Sequence, residues 1–168
     1  ISDNFFVFWF QYIFPYKSYL EMDNYNYVLE KMFSGLKYND NANSGFKIIA
    51  AQVYERVALE LLIAWQNKIF TFERVGRYWD NNLEIDVVGF SSPEKKIIFG
   101  ECKWSEKPVG TNIYEELKKK AEKVDWNKND RKEYYILFSK SGFTAEMIKI
   151  AKKNSVILVE KDVLVGEF

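Results

Sequence analysis

The sequence predicts an α/β domain with a mixed central sheet and helices on both faces, and two observations carry that expectation. Between residues 68 and 104 three runs alternate apolar and polar side chains, the period of two that a strand imposes. From residue 112 onward, stretches of helical periodicity take turns with short apolar runs, the order that crossover connections leave in a chain. At 168 residues the chain is one domain, or one domain with an appendage, and long enough to bury a core. Its 48% hydrophobic and 29% charged residues describe a globular protein rather than a disordered one.

Residues 1–38 hold 13 of the 30 aromatic residues, a density that predicts a buried helix or helix pair packed on the rest of the domain. The same density fits a docking surface for an upstream region or a second copy of the chain, since such a patch seldom stays exposed on a monomer. Gly35–Gly45 (GLKYNDNANSG) has turn chemistry and no apolar period, so it reads as a linker. Phe46–Trp65 predicts a helix, with Val53, Val57 and Leu61 on one line and Tyr54, Ala58 and Leu62 on the next. Gln52, Glu55, Arg56 and Glu60 collect on its polar stripe. Lys68–Val75 alternates like a strand, and GRYWDNN after it reads as a turn. Asn112–Val124 is the next helix, turning Ile113, Leu117, Ala121 and Val124 inward. Glu133–Ser139 is a short buried strand, Thr144 an N-cap for a helix over Ala145–Lys153, and Ser155–Glu160 a last strand.

Composition narrows the chemistry. No histidine occurs, which excludes Ser-His-Asp and Cys-His catalysis and histidine-ligated zinc. The single cysteine, Cys102, excludes an intrachain disulfide and fits a reducing cytoplasm, the expected compartment. Twenty-four basic residues balance twenty-four acidic ones, so any binding of nucleic acid must come from a local patch. Ile1 in place of Met points to a fragment or a processed chain. Phe5–Phe14 is far shorter than the roughly 18–20 residues of a membrane span and lacks a basic leader, so neither a membrane segment nor a targeting segment is expected.

The most informative stretch is Leu83–Trp104. Two alternating runs, Leu83–Phe90 and Ile97–Trp104, flank the turn-like SSPEKK. Glu84 and Asp86 share one face of the first strand, and Glu101 and Lys103 share one face of the second. With a symmetric loop, paired residue numbers sum to 187, which sets Asp86 opposite Glu101 and Glu84 opposite Lys103. Two opposed carboxylates repel unless a cation lies between them. An octahedral magnesium-type ion takes one or two protein carboxylates and keeps several waters. Lys103 would reach the same space, where it can orient a water or neutralise charge developing on a phosphate. Glu55 is the best candidate for a further carboxylate. The bland alternative is a solvated hairpin face with a Glu84–Lys103 pair.

Glu55 on a helix, EID at 84–86 and ECK at 101–103 resemble the PD-(D/E)XK nuclease superfamily. FWF near the start, YERVALELL, GRYW, EIDVV and FGECKWS together resemble, over nearly the whole chain, the C-terminal nuclease-like domain of archaeal P-loop (DEXX-box) ATPases. The resemblance implies a restriction-endonuclease-like fold for residues 46–168, with 1–45 as an aromatic-rich helical segment and linker. It implies Asp86 and Glu101 as ligands of Mg2+ or Mn2+, Lys103 as the catalytic lysine, Glu55 as the accessory acid, and an attached ATPase domain as partner. Ile85 rather than proline precedes Asp86, which narrows the likeness to resolvase-like members. No GxxxxGK[ST] motif occurs, so the ATPase half is absent from this chain.

The expected activity is therefore metal-dependent hydrolysis of DNA. The rival is a silent nuclease-fold module that dimerises, through the aromatic segment, or holds DNA for an ATPase. Arg74 and Arg77, just before the hairpin, and Lys118 and Lys119, on the lysine-rich face of 112–124, are the expected phosphate contacts. Those lysines also suit a solvated helix face paired with Glu115, Glu116 and Glu122. Trp79 and Trp104 read as core or rim packing, and Cys102 as a core residue facing away from Glu101.

Overall fold

The computed structural model describes residues 3–33, 45–80 and 83–166. The chain divides into two compact units, Ile1–Val53 and Tyr54–Phe168. Residues 35–44 of the expected linker lie outside the described residues, and Gly45 opens a helix.

In the first unit the aromatic stretch is helical. Asp3 caps α1 (Asn4–Phe8) by accepting from the Phe5 N–H. A π-helical turn (Trp9–Ile13) and a 3-10 turn (Phe14–Tyr16) lead into α2 (Lys17–Glu21) and α3 (Tyr25–Phe33). Tyr12, Val28 and Met32 form a small core with Phe8, Tyr16 and Phe46 against them. The expected burial does not extend to the rest. Phe5 and Phe14 are each 60% exposed and Phe10 52%, with Phe6, Phe10 and Phe14 following one another at ring separations of 6.3 and 5.9 Å. The reason is geometric: rings at nearly every position of a helix point in all directions, and one small core takes only one stripe of them.

α4 (Gly45–Ala64) matches the helix expected over 46–65. In the second unit its Tyr54, Ala58 and Leu62, spaced by four, are buried against the sheet with Val87, Ile98, Ile136 and Phe138. The Tyr54 hydroxyl donates to the Lys161 carbonyl at 3.1 Å, which fixes the helix beside the sheet. A short helix, α5 (Gln66–Ile69), comes next.

The sheet has six strands in chain order: β1 (Arg74–Asp80), β2 (Leu83–Ser91), β3 (Lys96–Lys103), β4 (Lys132–Ser139), β5 (Ile157–Glu160) and β6 (Val163–Leu164). Pairs β1–β2, β2–β3 and β5–β6 are antiparallel, while β3–β4 and β4–β5 are parallel. The sheet is mixed, as expected. α6 (Thr111–Ala121) connects β3 to β4 and α7 (Ala145–Asn154) connects β4 to β5. Their Tyr114, Leu117, Ala121, Met147 and Ala151 bury the face opposite α4, together with Ile85, Ile97, Phe99 and Leu137. Thr144 caps α7 by accepting from the Met147 N–H.

Two local readings are corrected. Of the strand expected over 68–75 only Arg74 and Val75 are strand, and GRYWD is not a turn: the strand is Arg74–Asp80. Gly76 and the polar residues after it read as punctuation, yet Gly76 pairs with Val88 inside the sheet, next to a register shift. Trp79, expected as core or rim packing, is 79% exposed on edge strand β1.

Candidate active site

The hairpin register is the expected one. Val87 pairs with Gly100, Val88 with Phe99 and Ser91 with Lys96, all summing to 187. The ladder ends at Val87–Gly100, one step before Asp86 and Glu101. There the side chain takes over: Asp86 Oδ2 accepts from the Cys102 N–H at 2.8 Å. Strand β1 supplies the cause. Gly76 pairs with Val88 and Tyr78 with Ile85, so Asp86 and Val87 together face the single residue Arg77. That bulge re-aims the chain at Asp86 and lets its carboxylate reach β3.

Glu101 follows Ile97 and Phe99 on the α6 face of β3. Its carboxylate is 9% exposed and held on both oxygens: Lys103 Nζ donates to Oε1 at 2.7 Å and Lys120 Nζ to Oε2 at 2.8 Å. Gly100 makes the close packing beside it possible. A Cβ there would lie 2.8 Å from Ile136 Cγ2 and 2.9 Å from Val87 Cβ.

Electrostatics tie the group together. Burial, and then the charge of Glu101, push the Asp86 carboxyl above its ordinary value, against the Cys102 hydrogen bond, Lys103 and Lys120. Burial, and then Asp86, raise Glu55, with Arg77 opposing and Glu101 and Lys103 also acting on it. For Lys103 burial works against the charge, yet the hydrogen bond and charge of Glu101, with Asp86 and Glu116, outweigh it and raise the group. Cys102 lies on the other face with Trp104, as expected. Burial pushes its thiol well above the ordinary value, so it stays protonated and is no nucleophile.

The structure thus brings Glu55, Asp86, Glu101 and Lys103 together. Arg77 reaches them: it ion-pairs with Glu84 and acts on Glu55. Glu84 therefore pairs with Arg77, and Lys103 pairs with Glu101 instead of crossing to Glu84. Arg74 is exposed three residues further along β1, roughly 10 Å away. Lys118 is turned aside, to Glu115 at 3.4 Å and over the Tyr114 ring, and Lys119 faces outward. Lys120 is the residue that sequence reasoning left among its neighbours. At roughly 100° per residue it stands about 60° from Leu117, at the border of the buried stripe and on the side away from Tyr114 and Ala121.

Asp86 and Glu101 offer only hard carboxylate oxygens, the donor type of Mg2+ and Mn2+. The upward push of one on the other marks negative charge that a cation would relieve. Among the described residues, no three His, Cys, Asp or Glu side chains are grouped to hold a metal ion. Asp86 and Glu101 would suit only an ion that takes two protein carboxylates and completes its shell with water.

A family model described as "Archaea bacterial proteins of unknown function" (DUF234) matches residues 9–124. The chain belongs to this family. Glu55, Arg77, Asp86, Glu101, Lys103 and Lys120 lie within the matched span. This DUF234 chain is similar to uncharacterized protein MJECL04 of Methanocaldococcus jannaschii, with 33% identity over 145 residues that cover 83% of this chain and 30% of the relative. It spans under a third of that relative's length. Among solved structures it is similar to a repair endonuclease from Pyrococcus abyssi, at 14% identity and TM-score 0.40, covering 63% of this chain and 46% of the other. It is also similar to a protein of unknown function, AF1548, at 21% identity and TM-score 0.39, covering 63% and 56%. Structural likenesses this partial bear on neither activity nor substrate. No helix among the described residues is long and apolar enough to cross a membrane.

Proposed function

We propose that this site hydrolyses DNA phosphodiesters with the help of Mg2+ or Mn2+, on a restriction-endonuclease-like domain of the PD-(D/E)XK type. The observation that carries the reading is the convergence of Asp86, Glu101 and Lys103 at the end of one hairpin, with Glu55 added from α4. Asp86 and Glu101 would hold the ion, which supplies charge neutralisation at the phosphate and a more acidic bound water. Lys103 is held by Glu101 with its ammonium charged, placed to orient the attacking water and to meet charge developing on the phosphate oxygens. Glu55, with its proton affinity raised, is suited to accept a proton from that water. Arg77, and Arg74 further along the strand, would contact the flanking phosphates. The attached ATPase domain implied by the sequence resemblance, and a cytoplasmic setting, belong to the same proposal. The greater length of the relative leaves room for such a domain.

One observation favours a second reading. Both oxygens of Glu101 are satisfied by lysines, so the network closes without any ion. A silent module of this fold would then dimerise through exposed Phe6, Phe10 and Phe14, or hold DNA for a partner ATPase. Replacing Lys103 by Ala separates the two. Hydrolysis predicts that DNA binding in Ca2+ persists while Mn2+-dependent cleavage falls by about 100-fold or more. Undiminished DNA binding with no cleavage by either form would establish the silent module.

A further inference from the structure

α6 carries three lysines in its last turn, Lys118, Lys119 and Lys120, and the fold sends one of them to the carboxylates. Leu117 and Ala121 are fully buried under the sheet. Lys120, at the edge of that stripe, reaches across from the helix to Glu101 Oε2 at 2.8 Å. Its partner is a carboxylate that is 9% exposed, while Lys120 itself is 30% exposed. The two lysines on Glu101 are held differently. Lys103 stands two residues away on the same strand face, so β3 sets their separation. Lys120 comes from another element, α6, on a flexible four-carbon stem, and both ammoniums border solvent, Lys103 at 35% and Lys120 at 30% exposed. Three carboxylates, Glu55, Asp86 and Glu101, thus share the site with two lysines, of which one belongs to the strand of Glu101 itself and the other to a separate helix.

We propose that Lys120 is the exchangeable counter-ion of Glu101. It balances the buried carboxylate at Oε2 and competes with a divalent cation for that oxygen. Once released, its ammonium pairs with a phosphate oxygen of the nucleic acid. The role rests on the metal-dependent reading of the site. It would reconcile the closed lysine network with cation binding, since one side of Glu101 opens without disturbing Lys103.

Mn2+ titration by calorimetry on the full chain tests it, together with anisotropy of a fluorescein-labelled DNA duplex in Ca2+ over a salt series. Lys120→Met is expected to bind Mn2+ about tenfold more tightly, on the scale of outer-shell effects on metal affinity. Its DNA binding should show a log–log salt slope lower by about 1, the loss of one phosphate contact. Lys120→Gln, which keeps a donor for Glu101 without the charge, should behave likewise and serves if the Met variant does not fold. Lys120→Arg should restore both values. Unchanged or weaker Mn2+ binding in the Met and Gln variants, with wild-type binding intact, would overturn the exchange role and leave the metal site standing. Absence of Mn2+ binding by the wild type would overturn the metal site and the exchange role together.

Discussion

Asp86 carries the strain of the site. It is a carboxylate drawn into a partly buried corner, beside Glu101, by its bond to the Cys102 N–H. A carboxyl raised in the folded state binds its proton more tightly there than in the unfolded chain. Its contribution to stability is therefore full below the unfolded carboxylate range and is lost as pH rises through the folded value. Asp86→Asn removes that loss and keeps an oxygen to accept from Cys102. The variant should melt a few degrees higher than the wild type at pH 7 in the absence of divalent ions. The difference should shrink as pH falls toward about 4, where unfolded Asp takes up its proton. Thermal melts across that range check it, and a variant less stable than wild type at pH 7 would contradict the repulsion. Glu55, raised by burial and by Asp86, pulls stability in the same direction.

The hairpin is the element that brings the carboxylates together, and it depends on two details of β2 and β3. One is the bulge at Asp86 and Val87, which turns the Asp86 side chain into a replacement for a ladder hydrogen bond. The other is Gly100, where a methyl group has no room between Ile136 and Val87. Gly100→Ala should destabilise the fold by about 1–3 kcal/mol through overpacking, as urea unfolding would measure. It should also weaken cleavage, by moving Glu101 on the neighbouring position. Stability equal to wild type would show that the strands part more easily than their packing implies. Much of this element was legible in the sequence. An even loop and clean alternation set the register as far as Val87–Gly100 and the inward face of Cys102, while the expected Asp86–Glu101 pair lies one step past the end of the ladder. The bulge was not legible, because it exists only against β1, and β1 itself was misplaced by reading Gly76 as a turn. Lys120 was hidden for a related reason. Three successive lysines on one helix look alike until the docking of α6 selects which border faces β3.

At the scale of the molecule, a chain with no net charge presents a small cationic cluster, Lys103, Lys120 and Arg77, around the acids at the end of one hairpin, with α4 and α6 contributing from opposite faces of the sheet. Such a protein has no long-range field to gather DNA, so under the proposed function DNA would be held locally, at the site itself. Glu55, Asp86, Glu101, Lys103 and Lys120 all belong to the second unit, and the first unit carries an exposed aromatic helix. The sheet order and the two crossover helices fit the fold class expected from the sequence, since parallel β3, β4 and β5 need connections such as α6 and α7. The most direct test is single-turnover nicking of supercoiled plasmid DNA in Mn2+ by the wild type and by Asp86→Ala. The expected result is nicking that requires Mn2+ and disappears in the variant. Nicking that survives the loss of Asp86, or no nicking by the wild type, would contradict a hydrolytic site at the end of this hairpin.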